Sequence, residues 1–214
     1  MPTEQPLSYT IPVGEGAAVV PYPTFPGTRI LALRASGSTE AIEVPEGSPV
    51  DDFDLLMPVA AVAAPEITLT LDRVVDVCAA SLAEAVGVAA TALRRAVAHA
   101  RQREQFGRPV GAFQAVKHRC ANMHVDLEIA RSLLTRLAQT GISRESRTAV
   151  TEGFERTRRV VEGCIQVHGG MGFTWETGLH LGLRHVVGLA ALADHAMDGW
   201  LGGRDDVRTA ARGR

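Results

Sequence analysis

What the chain holds little of narrows its chemistry before any motif is sought. Cysteine is scarce: Cys78, Cys120 and Cys164 lie more than forty residues apart, odd in number and without a CxxC pair, so neither a disulfide framework nor a zinc knuckle is indicated. Three such thiols read as small buried hydrophobes of a reducing compartment. Excess positive charge is missing too. Lys and Arg number 22 against 24 Asp and Glu, a formal net charge of -2, so no overall field draws nucleic acid or an anionic membrane and any anion must be held locally. The most apolar stretch, LLMPVAAVAA at 55–64, is cut by Pro58 and stops before Pro65, too short to span a bilayer. The opening MPTEQPLSYTIP carries three prolines and a glutamate where a secretory signal needs a basic segment and an apolar run. A cytoplasmic protein without nucleic-acid or membrane partners is expected.

Proline also divides the chain. Ten of the eleven prolines precede residue 75, and only Pro109 follows it. Before that point, short runs such as RILAL (29–33), AIEV (41–44) and ITLTL (67–71) stand between turn signals such as SGS and PEG, the pattern of a small β module. Beyond it the text is helical: Ala, Leu and Val dominate from Val75 to Gln105. Between 113 and 139 one apolar stripe runs through Val116, Cys120, Met123, Leu127, Ala130, Leu134 and Leu137. Residues 144–167 place Glu152 before Arg156 and Glu155 before Arg159 at favourable i,i+4 spacing. A fourth helix is expected from Gly178 to Leu201. With 46% hydrophobic and 21% charged residues, a mainly α fold follows: an antiparallel four-helix bundle over 75–214, preceded by a partial β-domain over 1–74.

Two stretches interrupt the helices. RQREQFGRPVGAFQ (101–114) places Gly107 and Pro109 where the first helix should end and a turn begin, the next helix starting near Ala112 or Phe113. Turn chemistry does not explain the rest. Arg101, Arg103 and Arg108 cluster with Gln102, Gln105 and Gln114, and guanidinium groups at such a junction suit a phosphate; they suit equally the capping of helix carbonyls or pairing with surface acids. QVHGGMGF (166–173) holds three glycines in four residues, more than one helix cap requires, and the surplus lets a ligand approach the backbone. The GxGxxG spacing of a dinucleotide fingerprint is absent.

An RxxFGxPxxxxQ segment followed by QxHGGxGFxxE, each at a helix junction, resembles the C-terminal domain of the acyl-CoA dehydrogenase flavoproteins. The likeness covers residues 75 to 200 well, whereas residues 10 to 72 resemble only the latter part of that family's middle β-domain. The family's N-terminal helical domain has no counterpart. The resemblance implies FAD contacts by Arg103, Gln105, Phe106 and Gln114 in the first segment and by Gln166, Gly169 and Gly170 in the second. In the family these groups reach across a dimer interface to the flavin of a neighbouring subunit.

The same resemblance exposes losses. The family's reaction needs a carboxylate base beside the acyl-CoA thioester, and its usual position falls on Ala193, with an alternative on Val97; neither accepts a proton. Asp194 adjoins Ala193, but successive helical residues point about 100° apart. Glu176 matches a family glutamate of structural character, and His185 follows Arg184 where the family often has Arg-Asp. The ring-stacking segment of the β-domain has no match before residue 75, where Tyr9, Tyr22 and Phe25 are the only aromatics before Phe53. The resemblance therefore implies a base-deficient subunit that shares FAD with a complete acyl-CoA dehydrogenase partner in a heterotetramer, not active alone. A flavin-free scaffold or acyl-binding protein is one alternative, and a repurposed cyclase or dehydratase working through Asp194 or a histidine is another. The seven histidines show no HExxH spacing, GxSxG is absent, and no metal site is expected; by sequence distance His118 with His124, or His180 with His185, are the pairs able to approach.

Overall fold

A computed structural model of the chain describes the backbone of residues 7–9, 11–14, 17–21, 29–33, 39–43, 50–51, 59–63, 71–140 and 144–212, and the side chains of 74–139 and 146–197. The chain divides into two compact units, residues 1–78 with 191–214, and residues 79–190.

Among the described residues the first unit carries seven short strands. β1 (Leu7–Tyr9) pairs in parallel with β4 (Arg29–Leu33), which pairs antiparallel with β5 (Thr39–Glu43), Arg29 opposite Glu43. A second sheet has the order β2 (Ile11–Gly14), β3 (Ala17–Pro21), β7 (Val59–Ala63), β6 (Val50–Asp51), antiparallel throughout. The expected RILAL strand is β4, and AIEV overlaps β5. Of the expected strand at 67–71, residues 67–70 lie outside the described residues and Leu71 opens a helix.

That helix, α1 (Leu71–Gln102), is built on alanine, leucine and valine, and its buried residues Val74, Cys78, Leu82, Ala85, Ala89, Ala92, Ala96 and Ala100 recur at steps of three and four. It begins four residues earlier than the composition change predicts and ends three residues sooner. Over Val74–Gln102 its length and mean hydropathy of 1.6 are sufficient to cross a membrane by composition alone, so the longest apolar segment is here rather than at 55–64; its apolar stripe is covered by protein.

Three further helices follow: α2 (Gln114–Thr140), α3 (Arg144–His168) and α4 (Leu179–Arg212). α4 continues eleven residues past the expected end at Leu201. On α2, the predicted stripe is inward: Met123, Leu127, Ala130 and Leu137 are buried and Val116, Cys120 and Leu134 half-buried.

Contacts within the second unit give the helix directions. Leu82 of α1 fills the space over Gly153 of α3, and His99 stacks on His168 further along both, so α1 and α3 run parallel. Met123 lies over Gly163 while Asp126 bonds Arg156 at 2.6 Å, so α2 runs antiparallel to α3. Val88 faces Gly182 and Glu84 Oε1 lies 2.8 Å from His185 Nε2, so α4 opposes α1. The result is the up-down-up-down bundle expected, with the α1–α2 and α3–α4 junctions at one end.

Candidate functional site

Both sequence interruptions are at that end. In the first, the backbone N–H of Arg103 donates to the carbonyl of His99 (2.8 Å) and closes α1. The chain then forms a small hairpin instead of the simple turn predicted: β8 (Glu104–Gln105) pairs antiparallel with β9 (Arg108–Pro109). Its two-residue loop is Phe106 at φ 53° and Gly107 at φ 73°, the left-handed pair that a type I′ hairpin turn requires. Glycine enters this region freely, but phenylalanine does so at a cost of about 1–2 kcal/mol. The cost is incurred for a ring that is 89% exposed, set edge-to-face with Phe113 at 6.1 Å between centroids. Strain of this kind, in a residue that contributes little to the core, clusters at ligand sites.

The hairpin leads into a 3-10 turn, Val110–Ala112. Gly111 lies so close to α1 that a Cβ would come within 2.8 Å of the Ala100 carbonyl oxygen, which fixes the hairpin against the helix end. Phe113 then caps α2, its carbonyl accepting from the N–H of Val116 and Lys117 at 3.1 Å each, and the guanidinium of Arg108 lies 4.2 Å above its ring. Gln114 opens α2 and is exposed. Arg101, Arg103 and Gln105 are exposed as well. The Gln105 amide donates only to the carbonyl of Glu104, at 2.7 Å. Among the described residues neither Arg101 nor Arg103 makes a side-chain hydrogen bond or ion pair, so neither caps carbonyls nor pairs with an acid as the structural alternative required.

In the second interruption, α3 ends at His168 and Gly169 turns the chain at φ 63° into a 3-10 turn, Gly169–Phe173. The three glycines have different tasks. Gly169 supplies the left-handed cap. Gly172 is buried, and a Cβ there would collide with the backbone carbonyl of Ile165; its missing side chain serves packing, not the ligand approach read from the sequence. Gly170 is exposed with open space where a Cβ would point, so the fold makes no demand for glycine there. The buried Thr177 hydroxyl lies 3.0–3.3 Å from the carbonyls of Met171, Gly172 and Thr174, and Arg95 of α1 donates to the carbonyl of Thr177 at 2.5 Å. These bonds hold the loop while Phe173 and Trp175 remain 70% and 69% exposed. Gln166 and Glu176 are exposed.

The two junctions are joined by a pair that sequence spacing does not reveal. His99, in the last turn of α1, stacks on His168, the last residue of α3, with centroids 4.4 Å apart and planes at 26°. The carbonyl of Cys164 accepts from His168 Nδ1 at 2.8 Å, which fixes that tautomer. Burial, then the charges of His168 and Arg103, hold the His99 imidazole below its ordinary value. Of the histidines paired by sequence distance, His118 and His124 are exposed on α2, His180 lies edge-to-face with Trp175 at 5.0 Å, and His185 is buried against Glu84. Among the described residues no cluster of three potential metal ligands occurs.

Neither position expected for a base carries a proton acceptor. Ala193 is fully buried on α4. Asp194 beside it is exposed. Its charge adds to burial in pushing the Cys78 thiol up to about 12. Val97 lines an open groove of about 500 Å³ between α1 and α2, with Leu93, Leu127, Arg94, Arg101 and Arg131 around it.

Comparison with known proteins agrees with this architecture. The family of the acyl-CoA dehydrogenase C-terminal domain matches residues 76–193. Among curated proteins, acyl-CoA dehydrogenase FadE34 of Mycobacterium tuberculosis is 38% identical over 168 residues, covering 72% of this chain but 22% of its own length. This chain thus spans about a fifth of that relative. Among solved structures, the Tcur3481-Tcur3483 steroid ACAD G363A variant superposes with a TM-score of 0.67 at 21% identity over 97% of this chain and 64% of that one. The ChsE4-ChsE5 complex from Mycobacterium tuberculosis gives 0.58 at 23% identity over 99% and 64%. These structural likenesses concern the fold. With the family's domain matched over more than half of its residues and both signature segments folded at one end of the bundle, the chain belongs to the acyl-CoA dehydrogenase family.

Proposed function

We propose that this chain is a subunit of a heteromeric acyl-CoA dehydrogenase that completes an FAD site held mainly by a full-length partner, and that it brings no catalytic base of its own. The carrying observation is the pairing of the two junctions: unpartnered Arg103, the strained and exposed Phe106 and the open backbone at Gly170 share one end of the bundle, joined by the His99–His168 stack. Such a surface fits a dinucleotide approached from outside. Arg103 offers a charged donor fork for phosphate, Gln105, Gln114 and Gln166 offer amides, Gly169 and Gly170 offer bare backbone, and Phe106 offers an apolar face. FAD, when bound, supplies the hydride acceptor for α,β-dehydrogenation of an acyl-CoA thioester.

The missing base is the second half of the reading. Ala193 has no group to titrate, and Asp194 projects to solvent on a neighbouring helical bearing. The partner must therefore supply the carboxylate. Solved neighbours named for two chains, Tcur3481-Tcur3483 and the ChsE4-ChsE5 complex, support a heteromer, here a heterotetramer. Cytoplasmic residence belongs to the same proposal and accords with the free, buried thiols of Cys78 and Cys164. Co-purification with the product of a neighbouring gene, followed by a flavin spectrum, tests it. The chain alone should be nearly colourless near 450 nm and the mixture yellow, whereas a stable complex lacking flavin would defeat the proposal.

A further inference from the structure

We propose that His99 and His168, with Arg103, form a proton-linked anion subsite of the cofactor clasp, in which one imidazole takes up a proton from solvent as the pyrophosphate diester of the dinucleotide settles against the two junctions. The inference rests on the FAD reading above and adds to it a residue pair and a pH dependence.

The geometry assigns the roles. His168 Nδ1 is committed to the carbonyl of Cys164, which leaves Nε2 as its free nitrogen. Both His99 nitrogens and His168 Nε2 lack a protein partner, yet among the described residues the one buried nitrogen without a partner is His180 Nδ1. The free nitrogens of the stacked pair therefore reach solvent. The charged or titratable groups acting on His99 are His168 from α3 and Arg103 from the start of the hairpin; no carboxylate from α1, α3 or the hairpin is among them. Burial and these two groups together disfavour a charge on His99 in the free protein. A dianion at the junction reverses the balance, since it attracts a proton to one ring of the stack. The second ring remains neutral, because two imidazolium rings at 4.4 Å would repel. The carbonyl ends of α1 and α3 favour that proton.

The test is a titration of FAD, whose diester pyrophosphate does not ionise near neutrality, into the flavin-stripped complex of the chain with its partner subunit between about pH 6 and about pH 8. Histidine ring resonances report both binding and protonation. Affinity should rise by about tenfold for each unit of pH lowered across the linked range, and the His99 or His168 signal should move towards imidazolium on binding while His118 does not. Replacing both rings, His99→Gln with His168→Gln, should abolish the slope with an unchanged amide spectrum away from the two junctions. Binding with no pH slope would overturn the proton linkage and leave the clasp intact. Failure of FAD at millimolar concentration to perturb either junction at any pH would overturn the clasp, and this inference with it.

Discussion

At the scale of single residues, the glycines separate folding from binding. Gly172 and Gly170 are two positions apart in the same turn, but a methyl group at the first meets the Ile165 carbonyl and at the second meets nothing. Gly172→Ala is therefore expected to destabilise the chain by about 1–3 kcal/mol. Gly170→Ala should change stability by less than about 0.5 kcal/mol while lowering flavin retention in the assembly. Thermal melts and flavin content of the two variants check the distinction; equal loss of stability would remove Gly170 as a ligand contact. The sequence announced three glycines beyond the needs of a cap without indicating which was surplus, because that depends on how close α3 comes to its own following turn. The Phe106–Gly107 hairpin was likewise illegible: type I′ turns are signalled by Asn-Gly or Asp-Gly, and nothing in composition marks a phenylalanine in the left-handed region. Arg103, Gln105 and Gln166 were legible as candidates through their motifs. The His99–His168 stack was not, since sixty-nine residues separate its partners and only the parallel course of α1 and α3 unites them.

At the scale of elements, composition, the apolar stripe and charge spacing together located the four helices. The stripe on α2 and the acid-base spacing on α3 translated directly into buried Met123, Leu127, Ala130 and Leu137 and into the Glu152–Arg156 bond of 2.5 Å. Cross-helix pairing was beyond such reasoning. Arg156 also donates to Asp126 of α2 at 2.6 Å, with the two side chains 27% and 19% exposed, a shielded pair that ties α3 to α2. A double-mutant cycle on Arg156→Ala and Asp126→Ala should return a coupling of about 1 kcal/mol, the upper part of the range for ion pairs near a surface; a coupling near zero would leave apolar packing to hold the two helices. Glu155 contributes in a pH-dependent way. Its hydrogen bond from Arg158 lowers its carboxyl below the ordinary value against a smaller opposing effect of burial, so its stabilisation is present above the unfolded-state value and is lost as pH falls through the folded one. The strands were less legible than the helices. β7 lies within the apolar run first weighed as a membrane segment, and α1 proved to be the longer apolar element because its alanines read as helix rather than as hydrophobic length.

At the scale of the whole molecule, the chain matches about a fifth of FadE34 and 64% of the Tcur3481-Tcur3483 chain, and on the proposed reading the site it offers is half of one. A clasp without a base implies a division of labour between subunits. Asp194→Asn should then leave turnover by the reconstituted assembly within about twofold of wild type, whereas a base or acid in that position would lose roughly 10²–10⁴-fold. The measurement that tests the central claim most directly is the flavin content of the assembly carrying Arg103→Ala. Loss of one charge-assisted bond worth about 1.5–3 kcal/mol predicts flavin released at least about tenfold more readily from an assembly that still forms, with the fold of the exposed site unchanged. Full flavin retention by that variant, in an intact assembly, would contradict the account.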